Sequence, residues 1–230
     1  MRLGFVLAVL FSLSASAQTL KTDDEKSLYS IGYLVGSRNL APLSLKPNEL
    51  EVVKRGLSDG ATGKKAQVEP ETQMDKVNAF AQARSSAGAD KEKVAGREYA
   101  EKAAKEQGAT KLPSGVVYKT LTPGNGPSPA ATDKVKVNYE GRLASGTVFD
   151  SSYKRGQPAE FGLNQVIKCW TEGVQKMKVG EKARLVCPSD IAYGDHGHPP
   201  TIPGGATLVF DVELLGISGK EPAAKDPAAK

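Results

Sequence analysis

The sharpest constraint on how this 230-residue chain folds is a change of texture at Gly108. Before it, apolar residues recur at spacings of three and four among Ala, Lys and Glu. After it, they alternate with polar residues between clusters of Gly and Pro. The first period belongs to an amphipathic helix and the second to a half-buried strand, and one segment cannot satisfy both. The expected fold class is α+β: a helical region followed by an antiparallel sheet with one short helix packed on it.

The helical region reads as three segments. Thr22-Asp23-Asp24-Glu25 matches a capping box, and Leu28, Ile31, Leu34 and Val35 then form an apolar stripe. Pro47 to Ser58 fits a second helix with Pro47 at its first position, Leu50, Val53 and Leu57 on one face, and Gly60 as a stop. The third runs from Pro70 to Gln107, with Met74, Val77, Phe80 and Ala81, then Ala95, Tyr99 and Ala103, at helical spacing. Gly88 and Gly96 each cost about 1 kcal/mol relative to Ala, so either one long helix with soft points runs through them or two helices meet there; the surrounding Ala, Lys and Glu favour the single helix. These segments hold too few large apolar residues to close a core. That predicts a homodimer formed through them, the alternative being a spacer docked on the following domain.

The N-terminus is an address rather than structure. Arg2, the short apolar run Leu3 to Leu13 and the small-x-small Ala15-Ser16-Ala17 predict a signal peptide, 1–17, cut before Gln18. No other stretch is apolar and long enough to enter a membrane. In an oxidising compartment the even pair Cys169 and Cys187 reads as a disulfide, against the alternative of two small buried thiols. The net charge of +5 is spread among interleaved Lys, Arg, Asp and Glu, so no nucleic-acid footprint is expected.

Beyond Gly108, strands are expected at Val116–Leu121, Lys134–Leu143, Val148–Asp150, Lys182–Cys187 and Ala206–Leu215. In Lys134–Leu143 the residues Val135, Val137, Tyr139 and Gly141 share a face. The only Trp, Trp170, follows Val166-Ile167-Lys168-Cys169 and opens a short amphipathic helix that runs to Met177. It is either a core plug or the floor of an apolar pocket. The tail, 219–230, repeats a five-residue unit and is expected to be disordered. No phosphate loop, GxSxG elbow, HExxH or cofactor motif is present. His196 and His198 lack the third and fourth ligands a metal wants, so no metal is expected. What recurs beside the turns is Tyr139, Phe149, Phe161, Val166, Ile167, Trp170, Tyr193, Ile202 and Phe210, with Asp150 and Arg155 the chief polar groups among them. By itself this set fits a plain core as well as a pocket.

Five blocks, in order, decide between them. They are Val137-Asn-Tyr139-Glu-Gly141; Gly146-x-x-Phe149-Asp150-Ser-Ser; Val166-Ile167-x-x-Trp170-x-Glu-Gly; Ala192-Tyr193-Gly194 with His198-Pro199; and Ile202-Pro203 with Ala206-Thr-Leu-Val-Phe210-Asp-Val-Glu-Leu. From about Leu112 to Ile217 the chain resembles the FK506-binding-protein (FKBP) family of peptidyl-prolyl isomerases. More loosely, Tyr33-Leu34-Val35-Gly36 and Glu49 to Leu57 resemble the N-terminal dimerisation segment of secreted FKBPs of the macrophage-infectivity-potentiator and FkpA type. The resemblance divides the chain into a signal peptide (1–17), a helical dimerisation domain (18–110), an isomerase domain (111–218) and the tail.

It implies a half-barrel sheet wrapped on a short helix, with Trp170 as the floor of a proline pocket. Asp150, Tyr193, Phe210 and the Ile167 amide would act on the substrate. Tyr139, Phe149, Arg155, Phe161, Val166, His198 and Ile202 would help bind it, with Arg155 paired to Asp150. The implied substrates are proline-containing unfolded or exported chains in a Gram-negative periplasm, and macrolides of the FK506 and rapamycin type are candidate ligands. A proline-binding chaperone with little turnover is the alternative on the same fold. Two departures from the family pattern, Ala159 and Pro200-Thr201, predict a more open rim and a stiffer loop.

Overall fold

The computed structural model describes residues 19–218, so the expected signal peptide and tail lie outside the described residues. Helix α1 (Asp23–Val35) starts where the sequence places it. Thr22 Oγ1 accepts the Glu25 N–H at 3.1 Å, and Glu25 Oε2 accepts the Thr22 N–H at 3.0 Å. The helix then widens into a π-type turn, Gly36–Leu40, and a 3₁₀ turn, Ala41–Leu43. Helix α2 (Pro47–Ala61) runs through Gly60 and stops one residue later. Helix α3 (Met74–Ala104) is continuous through Gly88 and Gly96, and follows a 3₁₀ turn, Pro70–Gln73.

The sheet region contains β1 (Ala109–Lys111), β2 (Val117–Thr122), β3 (Lys134–Leu143), β4 (Val148–Ser151), β5 (Ala159–Gly162), β6 (Lys182–Cys187) and β7 (Leu208–Ile217). Helix α4 (Ser152–Arg155) is a single turn after β4, and α5 (Lys168–Lys176) is the short helix that carries Trp170 in its first turn. All pairings are antiparallel, in the order β1-β2-β6-β7-β3-β4, with β5 also paired to β3. Strand β1 pairs with β2, so the sheet begins slightly before the expected boundary at 110.

The two faces of the sheet have different covers. Helix α5 fills the concave face, where Val135, Val137, Tyr139, Trp170, Val174, Leu185, Leu208, Phe210, Val212 and Leu214 form one cluster. The end of α3 covers the other face, placing Ala100 and Ala103 against Val117, Val186 and Val209. This double cover explains why Leu208, Val209 and Phe210 are all buried in consecutive positions of β7, where a one-sided strand would alternate. A disulfide joins Cys169 of α5 to Cys187 at the end of β6, with Cα atoms 5.7 Å apart, and so fastens the helix to the sheet it fills.

Candidate active site

At the open end of the concave face lies a cavity of about 460 Å³ lined by Tyr139, Phe149, Asp150, Phe161, Gln165, Val166, Ile167, Trp170, Tyr193 and Phe210. Five elements of the concave face contribute. Tyr139 comes from β3, Phe149 and Asp150 from β4, Phe161 from β5, Trp170 from α5 and Phe210 from β7.

Trp170 is the centre of this arrangement. Tyr139, Phe161 and Phe210 stand nearly perpendicular to its indole, with centroids 5.2, 5.5 and 5.3 Å away. Edge-to-face contacts of this kind add about 0.5–1.5 kcal/mol each beyond burial. The indole N–H is buried without a hydrogen-bond partner among the described residues, so ring contacts hold the floor in place. Phe149 meets Phe210 edge to face at 5.6 Å. That pair exists because residue 141 is glycine: a Cβ there would lie 2.7 Å from the Phe149 ring and 2.8 Å from that of Phe210.

The polar edge of the cavity is a closed network. Tyr139 donates its hydroxyl proton to Asp150 Oδ2, Arg155 pairs with Asp150 Oδ1, and Arg155 Nη2 donates to the Tyr139 oxygen at 3.0 Å. The one-turn helix α4 makes this possible by bringing Arg155 back over Asp150. Ser152 anchors that turn, its Oγ accepting the Tyr139 N–H at 2.9 Å. Burial pushes the Asp150 carboxyl up, but hydrogen bonds from Tyr139 and Arg155 outweigh it and hold the group below the usual carboxylate range. Burial and the neighbouring Asp150 carboxylate push the Tyr139 phenol up. Near neutral pH, Asp150 is therefore an ionised acceptor and Tyr139 a neutral donor, and neither is poised to exchange protons.

Two further groups at the cavity stand outside this network. Ile167, the residue before α5, has an N–H that no acceptor among the described residues takes up. Tyr193 is 40% exposed, with its ring tilted against that of His198 at 5.5 Å.

The structure thus brings Asp150, Tyr193, Phe210, Ile167, Tyr139, Phe149, Phe161, Val166 and Trp170 together around one cavity. Arg155 sits behind Asp150 as an anchor rather than on the wall. His198 and Ile202 lie outside the lining of this cavity. They bridge each other through backbone hydrogen bonds of 2.8 and 3.0 Å at the neck of a loop, which buries Ile202 and leaves His198 backing Tyr193. Gln165 lines the wall and Ser152 positions the network, and sequence reasoning missed both. The Gly-Leu-Asn-Gln turn before Val166 could have flagged Gln165, whereas nothing in the local pattern marks Ser152.

Comparison with known proteins identifies the family. Residues 126–215 match the model of the FKBP-type peptidyl-prolyl cis-trans isomerases. Residues 24–120 match the model of the domain amino-terminal to FKBP-type peptidyl-prolyl isomerases. The chain belongs to the FKBP-type peptidyl-prolyl cis-trans isomerase family and is an enzyme of that class.

Within the family it is similar to the FKBP-type peptidyl-prolyl cis-trans isomerase FkpA of Aeromonas hydrophila. The two are 43% identical over 223 residues, covering 91% of this chain and 81% of the relative. The peptidyl-prolyl cis-trans isomerase Mip of Coxiella burnetii is 36% identical over 223 residues, covering 93% of this chain and 96% of the relative. The crystal structure of FkpA from Escherichia coli matches with a TM-score of 0.64 at 38% identity, covering 86% of this chain and 98% of that one.

Proposed function

We propose that the Trp170 cavity takes the proline ring of an exported, unfolded polypeptide and lowers the barrier to rotation about the preceding bond. The observation that carries this reading is the cavity wall itself: aromatic on nearly every side, with its single carboxylate already committed to Tyr139 and Arg155.

Peptide-bond rotation is opposed by about 18–20 kcal/mol of amide resonance, and X–Pro bonds isomerise over tens to hundreds of seconds unaided. Resonance places charge on the carbonyl oxygen, and the twisted transition state loses much of it. An apolar wall that removes water from that oxygen raises the planar form more than the twisted one. Each ~1.36 kcal/mol of that difference is worth tenfold in rate. No nucleophile or general base is needed. The Ile167 N–H and the Tyr193 hydroxyl orient the chain, Phe210 and Phe149 close the wall, and Asp150 fixes the polar edge.

The same reading covers the rest of the chain. Helices α1 and α2 bury none of their residues, while Leu28, Ile31, Tyr33, Val52 and Leu57 are each more than half exposed. A second copy packed on that face would cover them, giving a homodimer. Arg2, the apolar run after it and Ala15-Ser16-Ala17 support export to the periplasm, a compartment that sustains the Cys169–Cys187 disulfide. Among the described residues no helix is long and apolar enough to cross a membrane.

A proline-tetrapeptide isomerisation assay on the wild type, Asp150→Ala and Phe210→Ala tests the reading. The wild type should accelerate the reaction, and each variant should lose about tenfold or more. A wild type no faster than buffer would overturn the activity, and full activity in both variants would overturn the site. Binding without turnover is the outcome that would favour the chaperone alternative.

A further inference from the structure

Tyr193 opens a loop whose root is pinned from outside the sheet region. Within the loop, the Gly205 N–H donates to the Gly194 carbonyl at 2.8 Å, and the Gly197 N–H donates to the Tyr193 carbonyl at 3.1 Å. Helix α3 meets this root through three positions of one face, residues 89, 93 and 96, spaced four and three apart. Ala89 is 2% exposed, and its carbonyl oxygen lies so close to Gly205 that a Cβ there would sit 2.2 Å away. A Cβ on Gly96 would sit 2.1 Å from Thr207 Oγ1. Between these contacts the Lys93 ammonium pairs with Asp195 Oδ1 at 2.5 Å, two residues beyond Tyr193. Asp195, with Asp190 and Asp90 farther off, holds the ammonium above its ordinary pKa. On the N-terminal side the helix and loop part again, leaving a cleft of about 360 Å³ between Gly88 and Pro199. The contact is therefore local.

The geometry points to Lys93 as a positioning residue for the isomerase reaction. By holding Asp195, it fixes the loop root from which the Tyr193 hydroxyl reaches the cavity, and so couples the long helix of the N-terminal region to the active site. Among the described residues the ring contact of that tyrosine is His198, which belongs to the same loop. A helix face made of Ala89 and Gly96 gives close backbone approach with little side-chain grip. The ion pair supplies the lateral hold that small residues cannot. This inference rests on the isomerase reading above.

The test uses the full-length protein and a proline tetrapeptide in a double-mutant cycle. Lys93→Glu faces Asp195 with a like charge and should lower kcat/KM about threefold, a modest effect because the pair is partly solvated. Tyr193→Phe should lower it on its own. In the Tyr193→Phe background Lys93→Glu should have no further effect, because both changes act through one hydroxyl. Exchanging the charges, Lys93→Asp with Asp195→Lys, should restore the rate. Thermal midpoints show whether each variant is folded, and Gly96→Leu, which forces α3 away from Thr207, should reproduce the Lys93→Glu loss by a different route. The inference is overturned if Lys93→Glu and Gly96→Leu both keep the wild-type rate, or if the Lys93→Glu loss is the same with and without the Tyr193 hydroxyl. An inactive wild type, or a fully active Tyr193→Phe, would instead remove the isomerase reading or its site, and this inference with it.

Discussion

The N-terminal helices and the sheet region are opposite solutions to the same problem. Helices α1 and α2 leave Leu28, Ile31 and Val52 more than 60% exposed and bury no residue, whereas Leu163, Val174, Leu185, Leu208 and Leu214 of the sheet region are fully buried. Apolar burial is worth about 25 cal/mol per Å², so the sheet region holds its own stability, and in the proposed homodimer the helical arms would obtain theirs from the second copy. Helix α3 belongs to both: its first half is open, while Ala89, Gly96, Ala100 and Ala103 are buried.

The largest expected effect sharpens that contrast directly. Leu185→Ala should cost about 3 kcal/mol of unfolding free energy, read from denaturant melts. An equal change at Leu28 should cost the sheet region nothing measurable.

Reduction of Cys169–Cys187 should come next. Its 18-residue separation implies about 3 kcal/mol in the chain-entropy picture, so a Cys169→Ser, Cys187→Ser protein should melt well below the wild type. If that variant also keeps full activity, α5 is held by packing alone.

Gly141→Ala adds a single methyl group between Phe149 and Phe210, with about 2 kcal/mol lost and isomerase activity reduced at least tenfold. Unchanged turnover there would mean that the aromatic wall can relax.

Two smaller effects test the helical arms and the electrostatics. Leu28→Asp with Ile31→Asp should shift the proposed dimer toward monomer in sedimentation while leaving the sheet region's unfolding free energy within about 0.5 kcal/mol of wild type. A variant that remains dimeric would move the interface elsewhere.

Asp211 lies between Arg184 and Arg142, at 2.7 and 3.1 Å. Burial pushes its carboxyl up, but the two guanidinium partners outweigh burial and hold it below the usual range. Its folded value is therefore below the unfolded value of about 3.9. Its contribution is complete above about pH 4 and is lost as pH falls through the folded value. Acid melts should show this loss of stability, flattened in Asp211→Asn.

The fold was legible wherever large side chains set a period. Val135, Val137 and Tyr139 announce the buried face of β3, and Thr22 with Glu25 announces the start of α1. The three-residue strand β1, the four-residue strand β5 and the one-turn helix α4 are too short to show a period, and pairing with longer neighbours creates them. Gly96 shows the other limit. Read along the chain it only weakens a helix; in three dimensions it is a point of backbone approach that a methyl group would block. Of the docked face of α3, Tyr99 and Ala103 showed in the helical spacing, whereas the close approach at Ala89 and Gly96 did not.

The site was legible in its residues but not in its wiring. The family-like blocks contain Tyr139, Asp150, Trp170 and Phe210. The resemblance supplied the Arg155–Asp150 pair, but it does not say that Tyr139 closes on both, or that Ile202 and His198 meet at the neck of a loop.

The central claim is that an apolar site without proton transfer accelerates X–Pro rotation. Its most direct test is the kcat/KM for cis-to-trans conversion of a short proline peptide, followed from pH 7 to 9 in light and heavy water. The account predicts a clear acceleration over buffer, flat with pH to within about twofold and with a solvent isotope effect near unity. A rate that follows the titration of one group, or no acceleration at all, would contradict it.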